Sequence, residues 1–239
     1  MAIEIDGTPH SGTGVGSPIT VSHTTGAGSD RLMLVGISGQ ATNVAVSGVT
    51  YGGVALDPVG TYAYSTYLKI WIYKKVAPTT GTADVVVSFS TAPTGGGIVG
   101  VITFTGMDQS VPLGTFVGAS AGTGSPTVDV SSASGELVID TAADWQSMTV
   151  GADQTQRWNV VSNNIYGSGS TEPGAGTVTM SWTTVTSEWS IGAVPIKPVS
   201  GPSATISGTA TQAMNEDHVA RTGGRTIIVT LGGGAEWIA

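Results

Sequence analysis

The chain has 239 residues, 36 glycines, no cysteine, a formal net charge of -8 and only 10% charged residues. The missing cysteine excludes disulfide staples, thiolate zinc sites and a thiol nucleophile. Eight Lys and Arg against 16 Asp and Glu leave no basic stripe for a nucleic-acid backbone or an anionic lipid surface.

Met1 leads directly into Ala2-Ile3-Glu4-Ile5-Asp6, without the basic and apolar segments of a secretory leader. The expectation is a protein made in a host cytoplasm without a signal peptide. Helical periodicity is nearly absent. Alternation and short β-branched runs predict strands over 19–23, 31–38, 44–49, 68–75, 83–90, 97–105, 127–130, 136–141, 156–161, 176–182 and 189–196. Leu32, Leu34, Val35 and Ile37 make a largely apolar, central strand. Leu68, Ile70 and Ile72 face a core, and Lys69, Trp71 and Tyr73 face the other, half-exposed side. Gly52-Gly53 marks a tight hairpin, and Pro78-Thr79-Thr80-Gly81 a Pro-initiated turn. Ile98 to Phe104 is apolar on both faces and reads as an interior strand. It is also the longest strongly apolar stretch, far short of the roughly 20 residues that span a bilayer. Gly167 to Gly176, small-residue throughout, reads as a mobile loop between strands.

These signals give an all-β chain. Residues 1–196 read as one jelly-roll-like β-sandwich. Residues 197–203, with Pro198, Gly201 and Pro202, read as a linker. Residues 204–239 read as a small C-terminal β unit too short to bury a core alone. Thr226, Ile227, Ile228, Val229 and Leu231, with Trp237 and Ile238, form its candidate docking or oligomerisation strand, in cis or in trans.

No motif places a catalytic residue. Gly118-Ala119-Ser120-Ala121-Gly122 matches G-x-S-x-G, but the following Thr123-Gly124-Ser125-Pro126 cannot be the helix that a nucleophile elbow needs. Gly95 to Gly100 matches G-x-G-x-x-G, but the glycines precede a strand rather than open a helix. His10, His23 and His218 are isolated in sequence, and His23 reads as a hydrogen-bonded strand residue. Asp140, Asp144 and Asp153 lack the spacing of a calcium loop. The expectation is therefore no catalytic site, no metal and no cofactor. Aromatics are the remaining candidates. Tyr51, Tyr62, Tyr64, Tyr67, Trp71 and Tyr73 cluster in one stretch. Trp145, Trp158 and Tyr166 fall in or near loops, where they are candidate glycan-stacking rings, against the alternative that they are packing partners.

One succession of phrases carries a resemblance. Val49-Thr50-Tyr51-Gly52-Gly53-Val54-Ala55-Leu56 is followed by Leu68 to Tyr73 and by Pro78-Thr79-Thr80-Gly81-Thr82 leading into Val85-Val86-Val87. Phe104-Thr105-Gly106-Met107-Asp108-Gln109-Ser110-Val111-Pro112-Leu113-Gly114 and Gly135-Glu136-Leu137-Val138-Ile139-Asp140 come next. Over 19–196 this resembles a β-sandwich domain that recurs in structural proteins of tailed bacteriophages and in some bacterial surface proteins. Gly223 to Leu231 and Trp237 look like a small β unit appended to phage virion proteins. These are packing and turn motifs and carry over no functional residue. The resemblance implies a non-enzymatic virion accessory protein on the particle surface, of the capsid-decoration or head-fibre type. Its partners would be its own copies, as a homo-oligomer such as a trimer, and the phage major capsid protein or another virion protein. Two alternatives stay open. One is a tail or baseplate adsorption protein that binds host surface glycan. The other is a secreted bacterial carbohydrate-binding module or adhesin.

Overall fold

The computed structural model describes residues 2–199. The linker from Ser200 onward and the candidate docking strand, Thr226 to Ile238, lie outside the described residues. Every regular element described is a strand. The first half carries β1 (Glu4–Ile5), β2 (His10–Gly14), β3 (Ile19–Thr25), β4 (Leu32–Gln40), β5 (Ala45–Tyr51), β6 (Val54–Ala55), β7 (Asp57–Tyr64), β8 (Leu68–Val76), β9 (Gly81–Thr91) and β10 (Gly96–Thr105). The second half carries β11 (Val117–Ala121), β12 (Thr127–Ser131), β13 (Leu137–Asp144), β14 (Thr149–Val150), β15 (Thr155–Ser162), β16 (Ile165–Pro173), β17 (Thr177–Thr183) and β18 (Trp189–Ile196).

The β-sandwich expected from the sequence is present, but there are two of them. In the first, an inner sheet runs β1-β10-β4-β8-β7, with β2 also on β10, and is covered by an outer sheet β3-β9-β5-β6. In the second, the inner sheet runs β11-β18-β13-β16-β15 and the outer sheet β12-β17-β14. All ladders are antiparallel. The two inner sheets pack face to face, so four layers stack in the order outer, inner, inner, outer.

Alternation along the strands explains the stack. In β4, Met33, Val35 and Ile37 point to the outer sheet, where Val49, Val85, Val87 and Phe89 meet them. Leu32 and Leu34 point the other way, into a core shared with Ile139, Ala143, Val194 and Ile196 of the second sandwich. A third core lies between the second inner and outer sheets, where Val138, Ala142, Ile191 and Ala193 meet Val130, Val178, Met180 and Trp182. A strand buried on both faces reads as continuously apolar. This is why β4 and β10 do so. The outer strands alternate, as in β3, whose residues are buried and exposed in turn. Trp71, expected on a half-exposed face, is only 8% exposed because the outer sheet covers that side.

The halves are two versions of one unit. Matching β2, β3, β4, β5, β7, β8, β9 and β10 to β11, β12, β13, β14, β15, β16, β17 and β18 in turn reproduces both strand orders. A local signature repeats with them. Ser17 closes Gly14-Val15-Gly16-Ser17-Pro18; its Oγ accepts from Phe89 N at 2.8 Å and donates to Phe89 O at 3.3 Å. Ser125 closes Gly122-Thr123-Gly124-Ser125-Pro126; its Oγ accepts from Thr184 N at 3.3 Å and donates to Thr184 O at 3.4 Å. Each serine clips the start of one outer edge strand to the far end of its neighbour. The contacts between the halves are reciprocal: β18 lies on β8 as β10 lies on β16, and β7 reaches β11 and β18 as β15 reaches β2 and β10.

The expected loop 167–176 is instead mostly the interior strand β16, paired with β13 and β15. Its small residues answer a packing demand. A Cβ at Gly167 would lie 2.8 Å from Ile98 Cβ, and one at Gly169 would lie 2.1 Å from Trp158 Cζ2. Gly52 and Gly53 do form the predicted hairpin turn, both at positive φ, with Tyr51 paired to Val54. Lys197, Pro198 and Val199 were expected to open the linker. They are still paired: Lys197 N donates to Pro112 O, Val199 N donates to Gly106 O, and Pro198 bridges Met107.

Candidate functional site

Three connections meet at one end of the stack: 65–67 between β7 and β8, 145–148 between β13 and β14, and 184–188 between β17 and β18. The first belongs to one sandwich and the other two to its partner sandwich. They bring Tyr67, Trp145 and Glu188 together. Glu188 Oε2 accepts from Tyr67 Oη at 2.7 Å and from Trp145 Nε1 at 3.1 Å. The Tyr67 and Trp145 ring centroids are 6.3 Å apart and tilted by 48°. Tyr64 meets Tyr67 edge-on, with centroids 6.0 Å apart. All four side chains are half-buried. Burial, followed by the hydrogen bond to Glu188 and its charge, pushes the Tyr67 hydroxyl up to about 12. The phenol therefore stays protonated and donating across the physiological range. Trp71, Trp158, Trp182 and Trp189 are all buried, so Trp145 is the one described tryptophan that is not buried.

The other two candidate stacking rings fare differently. Trp158 is 4% exposed and cannot reach a glycan. It lies between the inner sheets, against Gly36, Gly100 and Gly169. Tyr166 is half-buried in a shallow groove of about 570 Å³, lined also by Met148, Asn159, Val160 and Val161. It pairs with Asp144 across the β13–β16 ladder, while its ring belongs to the third core and Trp145 packs on the second. The structure thus buries Trp158 and places Tyr166 on a different core from Trp145. It brings Trp145 to Tyr67 and Glu188, with Tyr64 beside Tyr67.

The remaining motifs resolve into architecture. Ser120 lies within strand β11 and donates to Ala63 O at 3.1 Å, so its surroundings are not those of a nucleophile elbow. Gly96 and Gly97 open strand β10. His23 is buried, with Nε2 2.9 Å from Thr103 Oγ1 and Nδ1 3.0 Å from His10 Nδ1. Burial, with the nearby His10, pushes His23 down to about 4. Asp140 is fully enclosed. Its Oδ1 accepts from Ser170 N at 2.6 Å and Ser170 Oγ at 3.0 Å, and its Oδ2 accepts from Trp182 Nε1 at 2.8 Å. Burial pushes Asp140 up to about 7 against the pull of those three donors. Asp144 is likewise pushed up to about 6 by burial. Among the described residues, no group of three His, Cys, Asp or Glu side chains is placed to hold a metal ion.

Sequence reasoning noted Tyr64 and Tyr67 as part of an aromatic stretch and singled out Trp145, but missed Glu188. No local pattern marks it: it is one acid in a Thr/Ser loop, and its role comes from two rings that are distant in the chain. No family model, curated protein or solved structure matches the chain.

Proposed function

We propose that the chain is a non-enzymatic structural accessory protein of a phage particle, held on the outer surface of the capsid by docking in many copies. The observation that carries this reading is the use of the buried polar side chains. Asp140, His23, Ser38 and Ser162 are all buried and all spent on tying strand to strand, inside a stack whose inter-layer faces are largely apolar. Such a block suits a rigid projection that gains affinity from repetition rather than from one strong contact. The phrase succession over 19–196 supports the same setting. In this reading residues 204–239 supply attachment to the major capsid protein or another virion protein, or assembly of the chain with its own copies.

The test is to compare particle binding by the full chain and by a chain ending at Val199. The expected result is that the shorter protein folds, shown by a cooperative melt, and no longer decorates purified particles. Full occupancy by the shorter protein would refute the attachment assignment. Failure of the full chain to associate with any particle component would refute the proposal.

A further inference from the structure

We infer that Tyr67, Trp145 and Glu188, flanked by Tyr64, form a binding platform for a neutral saccharide. The inference stands apart from the attachment role proposed above, because it concerns the loop end of the double sandwich and not residues 204–239.

The chemistry of the three connections selects the ligand. Residues 65–67, 145–148 and 184–188 hold one charged side chain, Glu188, and no lysine or arginine; the others are Ser, Thr, Gln, Val, Met and the two aromatic rings. A phosphate, sulfate or carboxylate ligand would find a negative charge and no cation. A purely apolar ligand would leave the hydroxyl, amide and carboxylate groups unmatched. A pyranose has what the site asks for. Its C–H face can lie on an aromatic ring, and its hydroxyls donate to a carboxylate and exchange hydrogen bonds with Ser, Thr and Gln.

The geometry points the same way. Glu188 uses one oxygen, Oε2, to take both the Tyr67 hydroxyl and the Trp145 indole N–H. Among the described residues nothing donates to its Oε1, which leaves one carboxylate oxygen for sugar hydroxyls. The shared acceptor also fixes both rings before any ligand arrives. Prior fixing lowers the ordering cost of binding, which matters most for a weakly held ligand such as a neutral sugar. The arrangement draws on both sandwiches and has no duplicate at the opposite end. The matched strands β8 and β16 begin at Leu68 and Ile165, so the position matching Tyr67 is that of Asn164, which carries no ring.

The experiment uses the full chain on a printed array of neutral and acidic oligosaccharides. Tryptophan fluorescence is then titrated with a retained neutral oligosaccharide. The expected result is retention of at least one neutral class and of no acidic one. Trp145→Ala should weaken binding about tenfold or more, as truncation of a central aromatic contact does. Tyr67→Phe and Glu188→Gln should weaken it by smaller factors, and Tyr73→Phe, packed on the first core, should bind as the unaltered chain does. Each variant is first melted. If Trp145→Ala unfolds, Tyr67→Phe and Glu188→Gln decide, since both keep the volume of the side chain. Retention of no neutral oligosaccharide, retention of acidic ones alone, or binding unchanged by the folded cluster variants would overturn the inference.

Discussion

Replacing Gly100 by alanine should destabilise the double sandwich through a single ring. The new Cβ would lie 2.2 Å from Trp158 Cε2, 2.3 Å from Cδ2 and 2.7 Å from Cε3. Carbon atoms settle at about 3.5–4.0 Å, so the indole would have to retreat by more than about 1 Å. It has little room to do so. Cβ atoms built at Gly169 and Gly36 come within 2.1 Å and 2.7 Å of the same ring, so those backbones hold it from two further sides. Overpacking of this kind costs about 1–3 kcal/mol. In a fold of this size each kcal/mol lowers the melting temperature by about 2–4 °C, which gives a drop of roughly 2–12 °C. Trp158→Ala alone should cost about 3–5 kcal/mol, because it empties the space between the inner sheets. In that background the alanine at position 100 meets no ring, so its own cost should fall below about 1 kcal/mol, a non-additivity that a double-mutant cycle in urea measures directly. Gly48→Ala is the control: no atom lies within 4 Å of its Cβ position, and its melt should match the unaltered protein or slightly exceed it. A Gly100→Ala protein melting within about 1 °C of the unaltered chain, or one whose penalty persists without Trp158, would refute this account of the interface.

Other expectations follow from the hydrogen bonds and buried charges. Ser17→Ala and Ser125→Ala each remove a clip and leave a backbone N–H of Phe89 or Thr184 without that partner. Each should cost about 0.5–1.5 kcal/mol by urea unfolding, and the two losses should add. His23 is held down to about 4, below its unfolded value of 6.5. Its contribution is therefore present above pH 6.5 and lost as the pH falls through about 4; its imidazole resonances should show a neutral ring at pH 5, and a ring already charged there would contradict the burial argument. Asp140 is raised to about 7 from 3.8, so its contribution is full below pH 3.8 and lost as the pH rises through about 7. The melting-temperature advantage of the unaltered chain over Asp140→Asn should accordingly shrink between pH 4 and pH 8, and an advantage that grows over that range would reverse the assignment.

The class of fold was legible because inner and outer strands follow period-two logic on one face or on both. The continuous apolar runs of β4 and β10 announced burial, but not that a second sandwich would supply it. The duplication was also written in the chain, as Gly14-Val15-Gly16-Ser17-Pro18 and Gly122-Thr123-Gly124-Ser125-Pro126. Such a short, small-residue phrase is easily lost in a sequence with 36 glycines. The strand β16 was hidden for a related reason. Its Gly and Ser residues signal a loop by propensity, yet they are demanded by Trp158 and Ile98 packed over them, a contact invisible from 167–176 alone. Trp158 misled in the same way: its nearness to loops suggested exposure, while three glycines elsewhere made room for it indoors. At the candidate site the rings were visible and the acid was not, because Glu188 gains its meaning only where three loops from two sandwiches meet.

The reciprocal packing of the halves has a consequence for how this protein responds to dilution. Two separate sandwiches joined by the same apolar faces would be a symmetric dimer, stable only above some concentration. Here both partners ride on one polypeptide, so each remains at the high local concentration that the tether between β10 and β11 enforces. The union survives at any concentration. It also frees the two partners from being identical, since a change in one is no longer copied into the other. Val35 on β4 and Asp140 on β13 hold matching places in their sheets, one in an apolar core and the other in a hydrogen-bonded network. A tethered pair can thus keep a dimer's shared core while letting one side alone acquire a carboxylate, a groove or an aromatic platform.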